Sequence, residues 1–512
     1  MSRRSPPAAM AGADPGDLVG AVRGVLGETG AIGATVRQIA TRLDDRPDRI
    51  ATVLDDLRSR GDVHRMGRGL FVLRDFERLT ERVDFVDPQA FVERFSKENG
   101  VTLGRYAGPI TFRSNETLPV HRWWPYVQGY SAEFVAGVLN AADLRRGATV
   151  LDPFAGSGTT LVEARRSGAR AVGTELLLPA VLAARVKTRF ELDPRVLRRG
   201  ADRVLARASR LPPGTVPFLR ETPRQFAPDA LRDLTRLRDA LPAEGDPVAD
   251  ALRLAFGRIL IPSSRLHRSP CLGYHRGEPG PTVPPFDGFR SAVEEMVQDL
   301  SFLSQERDHW GPSATVAARD ARHGGWRSRS VALAVTSPPY VNGMDYVMNY
   351  KVDLAWLGYA RSYADLAAVR RAQVACDNLP RHEAAAYLDT SRVTDPWLAE
   401  VLERIRENLA RKGTYRRNDM HAVVHRYFAD LRPVLDGVYR ALVPGGRFVV
   451  VVGDSLLAGA YVPGDLLLAR LGEDCGFRIA SVEVARRRRS GQRRSFELRE
   501  SIVTLERPRG AA

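Results

Sequence analysis

Ser337, Pro338, Pro339 and Tyr340 form a short turn directly after the apolar residues 331–335. Two successive prolines fix the backbone and remove two N–H donors, so the carbonyl oxygens of this turn can only accept hydrogen bonds. We expect the Ser337 hydroxyl and the Pro338 carbonyl to hold the hydrogens of an amino group, with the Tyr340 ring stacked on a flat base. The nitrogen lone pair would then point toward an incoming methyl group. When these four residues are considered alone, the alternative is that they form a turn that only ends the strand.

A second segment, DPFAGSGTT at 152–160, points to a ligand site. Gly156 and Gly158 can take backbone angles that are closed to other residues, and the helix that should follow offers free N–H groups. The pattern predicts a strand, a tight turn and a helix N-terminus that bind a nucleotide-like ligand. It lacks the third glycine of the dinucleotide fingerprint and the Gly-Lys-Ser/Thr of a phosphate loop, which disfavours NAD and ATP.

Together, DPFAGSGTT and SPPY resemble the AdoMet-dependent methyltransferases that modify cytosine N4 or adenine N6 in DNA. The resemblance implies an α/β fold with a Rossmann-like, mostly parallel sheet that ends in an antiparallel hairpin. Cofactor and target base would lie in neighbouring pockets at the carboxyl ends of the strands. A serine before Pro-Pro-Tyr is more typical of the cytosine-N4 members, because adenine-N6 members usually carry Asp or Asn there.

The resemblance also implies a set of AdoMet-binding residues. Glu175, at the end of the predicted strand 171–175, would hold the ribose hydroxyls, and Asp320 would meet the adenine amino group; each could instead be a strand-end acid beside solvent. The aromatic segment 120–131 would close over the methionine end, or serve as a core plug. The full predicted set is Asp152, Pro153, Phe154, Gly156, Gly158, Thr159, Glu175, Asp320 and Tyr130. No metal ligands are predicted.

Net charge favours a polyanionic partner, which we take to be double-stranded DNA. The chain has 512 residues and a formal charge of +15, and four of its basic residues are lysine, at 97, 187, 351 and 412. Arginine offers bidentate contacts to phosphate and guanine, although coding bias is another source of an arginine excess. No apolar run is long enough to span a bilayer and no signal peptide is recognisable, so a cytoplasmic location is expected.

Arginine-rich loops are the candidate DNA contacts. Arg265 and Arg268 lie in a basic loop with hydroxyl and aromatic residues, and a second group lies between the last two predicted strands. The members of that second group are Arg486, Arg487, Arg488, Arg489, Arg493 and Arg494. Each neutralised phosphate should add roughly 0.9 to the salt dependence of duplex binding. A solvated hairpin tip would need no partner.

Periodicity and composition divide the chain into segments. Helical spacing followed by a short hairpin resembles a winged helix in the N-terminal part, where DNA contact and a protein-docking or structural role both stay open. The predicted organisation is a disordered tail at 1–15, a winged-helix-like domain at 16–75, a connector at 76–119, a catalytic domain at 120–190 and 313–512, and a helical insertion at 191–312. The insertion is the candidate target-recognition region.

The motif pair predicts an enzyme, a site-specific DNA cytosine-N4 methyltransferase of a restriction-modification or phage-defence system. Adenine-N6 methylation of DNA or RNA is the nearest alternative. A winged-helix nucleic-acid-binding protein that senses AdoMet without catalysis is the alternative from another class. Carbon-5 methylation through Cys271 is disfavoured, because that thiol follows a polar loop rather than a strand end.

Overall fold

The structure is a computed structural model of the whole chain. It describes residues 15–29, 34–60, 62–66, 70–73, 88–126, 129–268, 271–275, 282–341, 345–374, 395–412, 419–489 and 497–509. Contacts between residues divide the chain into two compact units. One consists of residues 1–93, 396–422 and 456–462, and the other of residues 94–395, 423–455 and 463–512.

The strands are numbered in chain order. They are β1 (Ala34–Thr35), β2 (Val63–Met66), β3 (Leu70–Leu73), β4 (Leu103–Arg105), β5 (Thr149–Asp152), β6 (Arg170–Glu175), β7 (Leu266–Arg268), β8 (Leu272–Tyr274), β9 (Thr315–Ala318), β10 (Val331–Thr336), β11 (Leu442–Gly453), β12 (Ser455–Leu457), β13 (Ala460–Val462), β14 (Arg478–Arg489) and β15 (Glu497–Glu506).

The helices are named by their bounds. The α-helices are Pro15–Thr29, Val36–Leu43, Pro47–Ser59, Pro88–Asn99, Ala132–Ala142, Thr159–Arg166, Leu178–Lys187, Pro194–Ala208, Thr222–Gln225, Pro228–Ala240, Pro247–Ile259, Pro285–Leu303, Tyr346–Trp356, Tyr363–Ala372, Pro396–Lys412, Met420–Ala441 and Gly464–Asp474. Short 3₁₀ turns cover Phe112–Glu116, His121–Trp123, Ser304–His309 and Ala321–His323. Within the described residues no helix is long and apolar enough to cross a membrane.

In the first unit, the helices up to Ser59 pack on an antiparallel sheet of order β1-β3-β2. The helix Val36–Leu43 begins with a capping box, in which Gln38 N–H donates to the Thr35 hydroxyl at 3.2 Å and Thr35 N–H donates to the Gln38 side chain at 2.9 Å. The Arg46 guanidinium forms an ion pair with the Asp48 carboxylate. Helices and hairpin follow one another in the predicted order, while the winged-helix assignment and its DNA contact stay predictions.

The second unit is built on an eight-stranded sheet of order β4-β14-β15-β11-β10-β5-β6-β9. Strand β15 is antiparallel to β11 and β14, and the remaining neighbours pair in parallel. This is the predicted methyltransferase sheet with a terminal antiparallel hairpin, and the fold class is confirmed. Strand β4 adds an edge that sequence analysis had treated as connector.

Register explains why the two motifs meet. In the centre of the sheet, β5 and β10 lie side by side in parallel, with Val150 opposite Leu333 and Leu151 opposite Ala334. Parallel neighbours end at the same edge of a sheet, so the turns that follow Asp152 and Thr336 open on one side. The buried, apolar strand interiors fix this register.

The helical segment 191–312 does not fold apart from the sheet. Its helices share one hydrophobic core with the helices Leu178–Lys187 and Tyr346–Trp356, which flank the two motifs in sequence. Phe256 and Trp356 are in contact in this core, with ring centroids 6.2 Å apart. The described part of the segment is therefore packed against the helices that flank the two motifs. Its assignment to target recognition stays a prediction.

Candidate active site

A cavity of about 840 Å³, partly open to solvent, lies at the carboxyl ends of β5, β6, β9 and β10. Both motifs contribute to its lining, which places Gly156 and Ser337 in a single site. The predicted residues that line it are Tyr130, Pro153, Phe154, Gly156, Thr159, Glu175, Asp320, Ser337 and Pro339. The predicted residues that do not are Asp152, Gly158, Pro338 and Tyr340.

The glycine turn has the predicted strained geometry. Gly156 and Gly158 have φ of +50° and +88°, angles that side-chain-bearing residues rarely adopt. Gly158 also packs on the backbone of the helix Leu178–Lys187, where a Cβ would come 2.9 Å from the Ala184 Cα. The turn leads into the helix Thr159–Arg166, whose first N–H groups have no intrahelical acceptor. A Cβ at Gly156 would lie 2.9 Å from the Tyr126 ring, so both glycines are required by their backbone angles and by packing against protein atoms.

Glu175 presents a carboxylate at the end of β6. Gly156 N–H donates to its Oε2 at 2.8 Å, and the N–H groups of Leu176 and Leu177 donate to its Oε1 at 2.8 Å each. Burial raises the pKa of Glu175, and these backbone hydrogen bonds oppose the rise. These three donors use three of the four lone-pair positions of the carboxylate and leave one, on Oε2, for a ribose hydroxyl.

Asp152 lies beneath the cavity rather than on its wall. Its carboxylate is buried and accepts from the Tyr130 hydroxyl at 2.7 Å, the Thr336 hydroxyl at 2.6 Å and Phe154 N–H at 3.0 Å. Burial raises its pKa, against the effect of these donors. Asp152 thus ties the glycine turn to the end of β10. A direct contact with the cofactor stays a prediction.

Asp320 lines the cavity, and its carboxylate already accepts hydrogen bonds from Arg322. Arg322 donates to its carboxylate from the backbone N–H at 2.9 Å and from Nη2 at 2.7 Å. Burial acts to raise the pKa of Asp320, and the Arg322 hydrogen bonds outweigh it, so the pKa lies below its usual value. Arg322 also pairs with Asp430 at 2.9 Å. The carboxylate that should meet the adenine amino group is therefore held in a tight ion pair.

The SPPY turn is divided between the cavity and the interior. Ser337 and Pro339 line the cavity, whereas the Tyr340 ring is 9% exposed and packs beside Gly453, where a Cβ would lie 2.9 Å from it. The Tyr340 hydroxyl donates to Glu500 on β15. The Tyr340 ring is not part of the cavity lining, and its hydroxyl has a buried acceptor. Its contact with a base stays a prediction.

Sequence reasoning missed several lining residues. Tyr126 belongs to the aromatic segment 120–131 but was not singled out; its ring stacks on Tyr350 with centroids 5.7 Å apart. Arg319 and Gln373 also line the cavity. Arg319 directly precedes Asp320, a predicted site residue, and this position could have indicated that it lines the cavity. Gln373 carries no motif, and only the fold brings it to the site.

The predicted DNA-contacting arginines fall into different environments. Arg265 is exposed. Arg268 instead pairs with the buried Asp353 and lies over the Tyr350 ring at 4.5 Å, so its guanidinium is used inside the protein. That contradicts its prediction as a DNA contact, because both of its charged and aromatic partners are internal.

The C-terminal hairpin carries the other predicted arginines. The Arg488 side chain donates to the Asp454 carbonyl at 2.6 Å, and Arg486 pairs with Glu500. Arg487, paired with Glu497 at 3.4 Å, has a side chain that is 65% exposed. The Arg489 side chain and all of Arg493 and Arg494 lie outside the described residues. The described part of the hairpin therefore offers Arg486 and Arg487 to a partner.

Cys271 is exposed and is not one of the lining residues, so its thiol does not face the cavity. Cys376 lies outside the described residues. Among the described residues, no group of three or more His, Cys, Asp or Glu could hold a metal ion.

Comparison with known proteins agrees with this geometry. The family of N6 and N4 methyltransferases described as "DNA methylase" matches residues 138–184, the segment that carries the glycine turn and Glu175. The Type II methyltransferase M.BsoBI of Geobacillus stearothermophilus is 22% identical over 448 residues, which cover 78% of this chain and 88% of that protein. The Type II methyltransferase M.AvaI of Nostoc is 22% identical over 412 residues, with 73% and 82% covered.

Among solved structures, a SAM-dependent methyltransferase from Methanosarcina mazei aligns over 72% of this chain and 97% of its own at 9% identity. Its TM-score of 0.26 is too low to carry an argument. The family match and the two relatives confirm the resemblance to the AdoMet-dependent amino methyltransferases of DNA, with AdoMet as the cofactor.

Proposed function

We propose that this protein is a site-specific DNA methyltransferase that transfers a methyl group from AdoMet to the exocyclic N4 amino group of cytosine. The observation that carries the proposal is the single cavity shared by Gly156 and Ser337. A methyl donor on the glycine turn and an amine on the SPPY turn would face each other across it. The names of the relatives, both Type II methyltransferases, support a restriction-modification context and DNA as the substrate.

The residues present fit AdoMet. Its ribose needs an acceptor, which the remaining lone pair of the Glu175 carboxylate offers, and its methionine end would lie beside the glycine turn and the Tyr126 ring that packs on Gly156. Tyr130 and Phe154 add apolar surface beside that turn. When bound, AdoMet supplies an electrophilic methyl group on a sulfonium sulfur.

Ser337 and Pro338 orient the target. Their hydroxyl and carbonyl oxygens accept the two N–H hydrogens of the cytosine amino group, which turns the nitrogen lone pair toward the methyl carbon. In the transfer that AdoMet would support, a nitrogen–carbon bond would form as the sulfur–carbon bond breaks, S-adenosylhomocysteine would be the leaving group, and the nitrogen would release one proton to solvent. No covalent bond to the protein is needed for this transfer.

DNA would be held by arginine and extruded at one base. We assign phosphate contact to Arg265 on the helical segment 191–312 and to Arg486 and Arg487 on the β14–β15 hairpin. The target cytosine must leave the helical stack to reach a cavity of this depth. The N-terminal unit, with its winged-helix-like elements, would add a further DNA contact. An enzyme that marks a cell's own DNA would act in the cytoplasm.

Sequencing that distinguishes base modifications tests the proposal on DNA from cells expressing the protein. We expect N4-methylcytosine at one short recurrent sequence, and none in cells expressing the Ser337→Ala variant. N6-methyladenine at such a sequence would contradict the cytosine assignment and keep the amino-methylation chemistry. Unmodified DNA, together with AdoMet binding by the purified protein, would favour an AdoMet-sensing role without catalysis.

A further inference from the structure

Gln373 carries a buried side-chain amide at the cavity. The residue caps the C-terminal end of the helix Tyr363–Ala372, lines the cavity and is 5% exposed. Both its side-chain oxygen and its side-chain nitrogen are buried, and neither makes a hydrogen bond to any residue that the structure describes. Buried amides are nearly always paired, because an unpaired one loses its water without compensation. An amide in this state at a cavity wall indicates a ligand with a complementary donor and acceptor.

The backbone around Gln373 is held firmly at the Asp320 side of the cavity. Its N–H donates to the Arg370 carbonyl at 3.2 Å, and its own carbonyl accepts from Arg426 at 3.4 Å. Arg322, the ion-pair partner of Asp320, donates to the carbonyl of Ala372 at 2.8 Å. The amide therefore stands next to the strand end at which the family resemblance places the adenine ring.

Asp320 leaves little capacity for that ring. Three donor atoms of Arg322 already point at its two carboxylate oxygens, at distances between 2.7 and 3.1 Å. Gln373, by contrast, offers one free acceptor and free donors on the same planar group. Adenine presents a donor, its amino group, beside an acceptor, a ring nitrogen, and a glutamine amide matches that pair in two parallel hydrogen bonds.

We propose that Gln373 binds the adenine of AdoMet, with its amide oxygen accepting from the amino group and its amide nitrogen donating to the adjacent ring nitrogen. This inference rests on AdoMet as the cofactor. Gln373 is then a specificity-determining residue for the nucleoside half of the cofactor, and Asp320 acts by holding Arg322 against the Gln373 segment.

Titration calorimetry with S-adenosylhomocysteine and its purine analogue, which lacks the amino group, tests the proposal. We expect the wild-type protein to prefer S-adenosylhomocysteine by about tenfold, since one hydrogen bond is lost and its buried partner is left unpaired. Gln373→Met keeps the length of the side chain and removes the amide, and should reduce that preference to within about twofold. The analogues that replace N1 or N7 with carbon identify the ring nitrogen involved.

Two further variants make the test specific. Gln225→Met is the matched control, because Gln225 is 2% exposed, has an unpaired amide oxygen and does not line the cavity; its preference should equal that of the wild type. Gln373→Glu keeps an acceptor and removes the donor, so it should retain the amino preference and lose the preference for the ring nitrogen.

The possible failures are distinguishable. A wild-type preference that survives in Gln373→Met would overturn the proposal, and a raised KM for DNA in that variant would then place Gln373 at the target base. Failure of the wild-type protein to bind S-adenosylhomocysteine at all would instead overturn the cofactor assignment. The unfolding temperature of each ligand-free variant shows that it is folded.

Discussion

The Tyr340 hydroxyl donates a hydrogen bond to the Glu500 carboxylate, and the same carboxylate accepts from Arg486. Burial, and then the charge of Glu500, raise the pKa of Tyr340 well above its usual value, so the hydroxyl keeps its proton and donates. The Arg486 side chain is 45% exposed. A buried carboxylate thus joins Tyr340 of the SPPY turn to a partly exposed arginine.

Tyr340 should act through its ring rather than through this hydroxyl. We expect Tyr340→Phe to keep kcat within about threefold of the wild type, and Tyr340→Ala to lower it about 10- to 100-fold, because base stacking on an aromatic ring contributes about 1–3 kcal/mol. Steady-state transfer of labelled methyl groups to DNA measures both. Equal losses in the two variants would assign the effect to the Glu500 hydrogen bond instead.

Ser337→Ala should separate chemistry from cofactor binding. Ser337 orients the amine but does not belong to the glycine turn, so we expect kcat to fall about 100-fold while the Kd for AdoMet changes less than about twofold. Single-turnover rates and titration calorimetry give the two quantities. Ser301→Ala, at an exposed serine of the helix Pro285–Leu303, is the control and should leave both unchanged. A parallel loss of AdoMet affinity would remove Ser337 from the target side of the cavity.

Arg268 and Arg265 should behave oppositely although they lie three residues apart. Arg268→Met leaves the buried Asp353 without its ion-pair partner, so we expect the free energy of unfolding to fall by about 3 kcal/mol. Its DNA affinity should keep the wild-type salt dependence. Arg265→Met should leave stability unchanged and reduce the slope of log K against log salt by about 0.9. A reduced slope in Arg268→Met would restore that residue to the DNA interface.

The ion pair between Arg268 and Asp353 also predicts a pH dependence of the free energy of unfolding. Burial raises the pKa of Asp353 to about 6, against the opposing effect of Arg268. When the pKa of a carboxyl is higher in the folded than in the unfolded state, the protein loses stability as the pH rises from the unfolded-state pKa through the folded-state pKa. Without Arg268 the folded pKa rises further, so the destabilisation of Arg268→Met should be larger near pH 8 than near pH 5. Chemical denaturation at the two pH values measures it; equal destabilisation would contradict the assignment.

The sheet and the meeting of the two motifs were accessible from sequence. Apolar strands that end at Asp152 and Thr336 must leave their turns at one edge once they are parallel neighbours, and the glycine spacing predicts which turn holds the ligand. These features depend on short stretches of chain, where periodicity and residue type determine the local structure.

The remaining features depend on contacts between distant residues. Glu500 lies 160 residues from Tyr340, and no local pattern connects them. Arg268 resembles a DNA contact in sequence because its partner Asp353 is 85 residues away. Gln373 follows an ordinary helix end, and the side chains that donate to the carbonyls of Ala372 and Gln373, Arg322 and Arg426, come from distant parts of the chain. Tertiary packing decided each of these three cases.

Transfer of a deuterated methyl group gives the most direct test that Gly156 and Ser337 serve one reaction. The purified protein is incubated with AdoMet labelled in the methyl group and with unmodified genomic DNA, which is then digested to nucleosides for mass spectrometry. We predict labelled N4-methyldeoxycytidine from the wild-type protein and none from a Gly156→Val or a Ser337→Ala variant. Labelled product at wild-type levels from either variant would show that the two turns do not form the catalytic site.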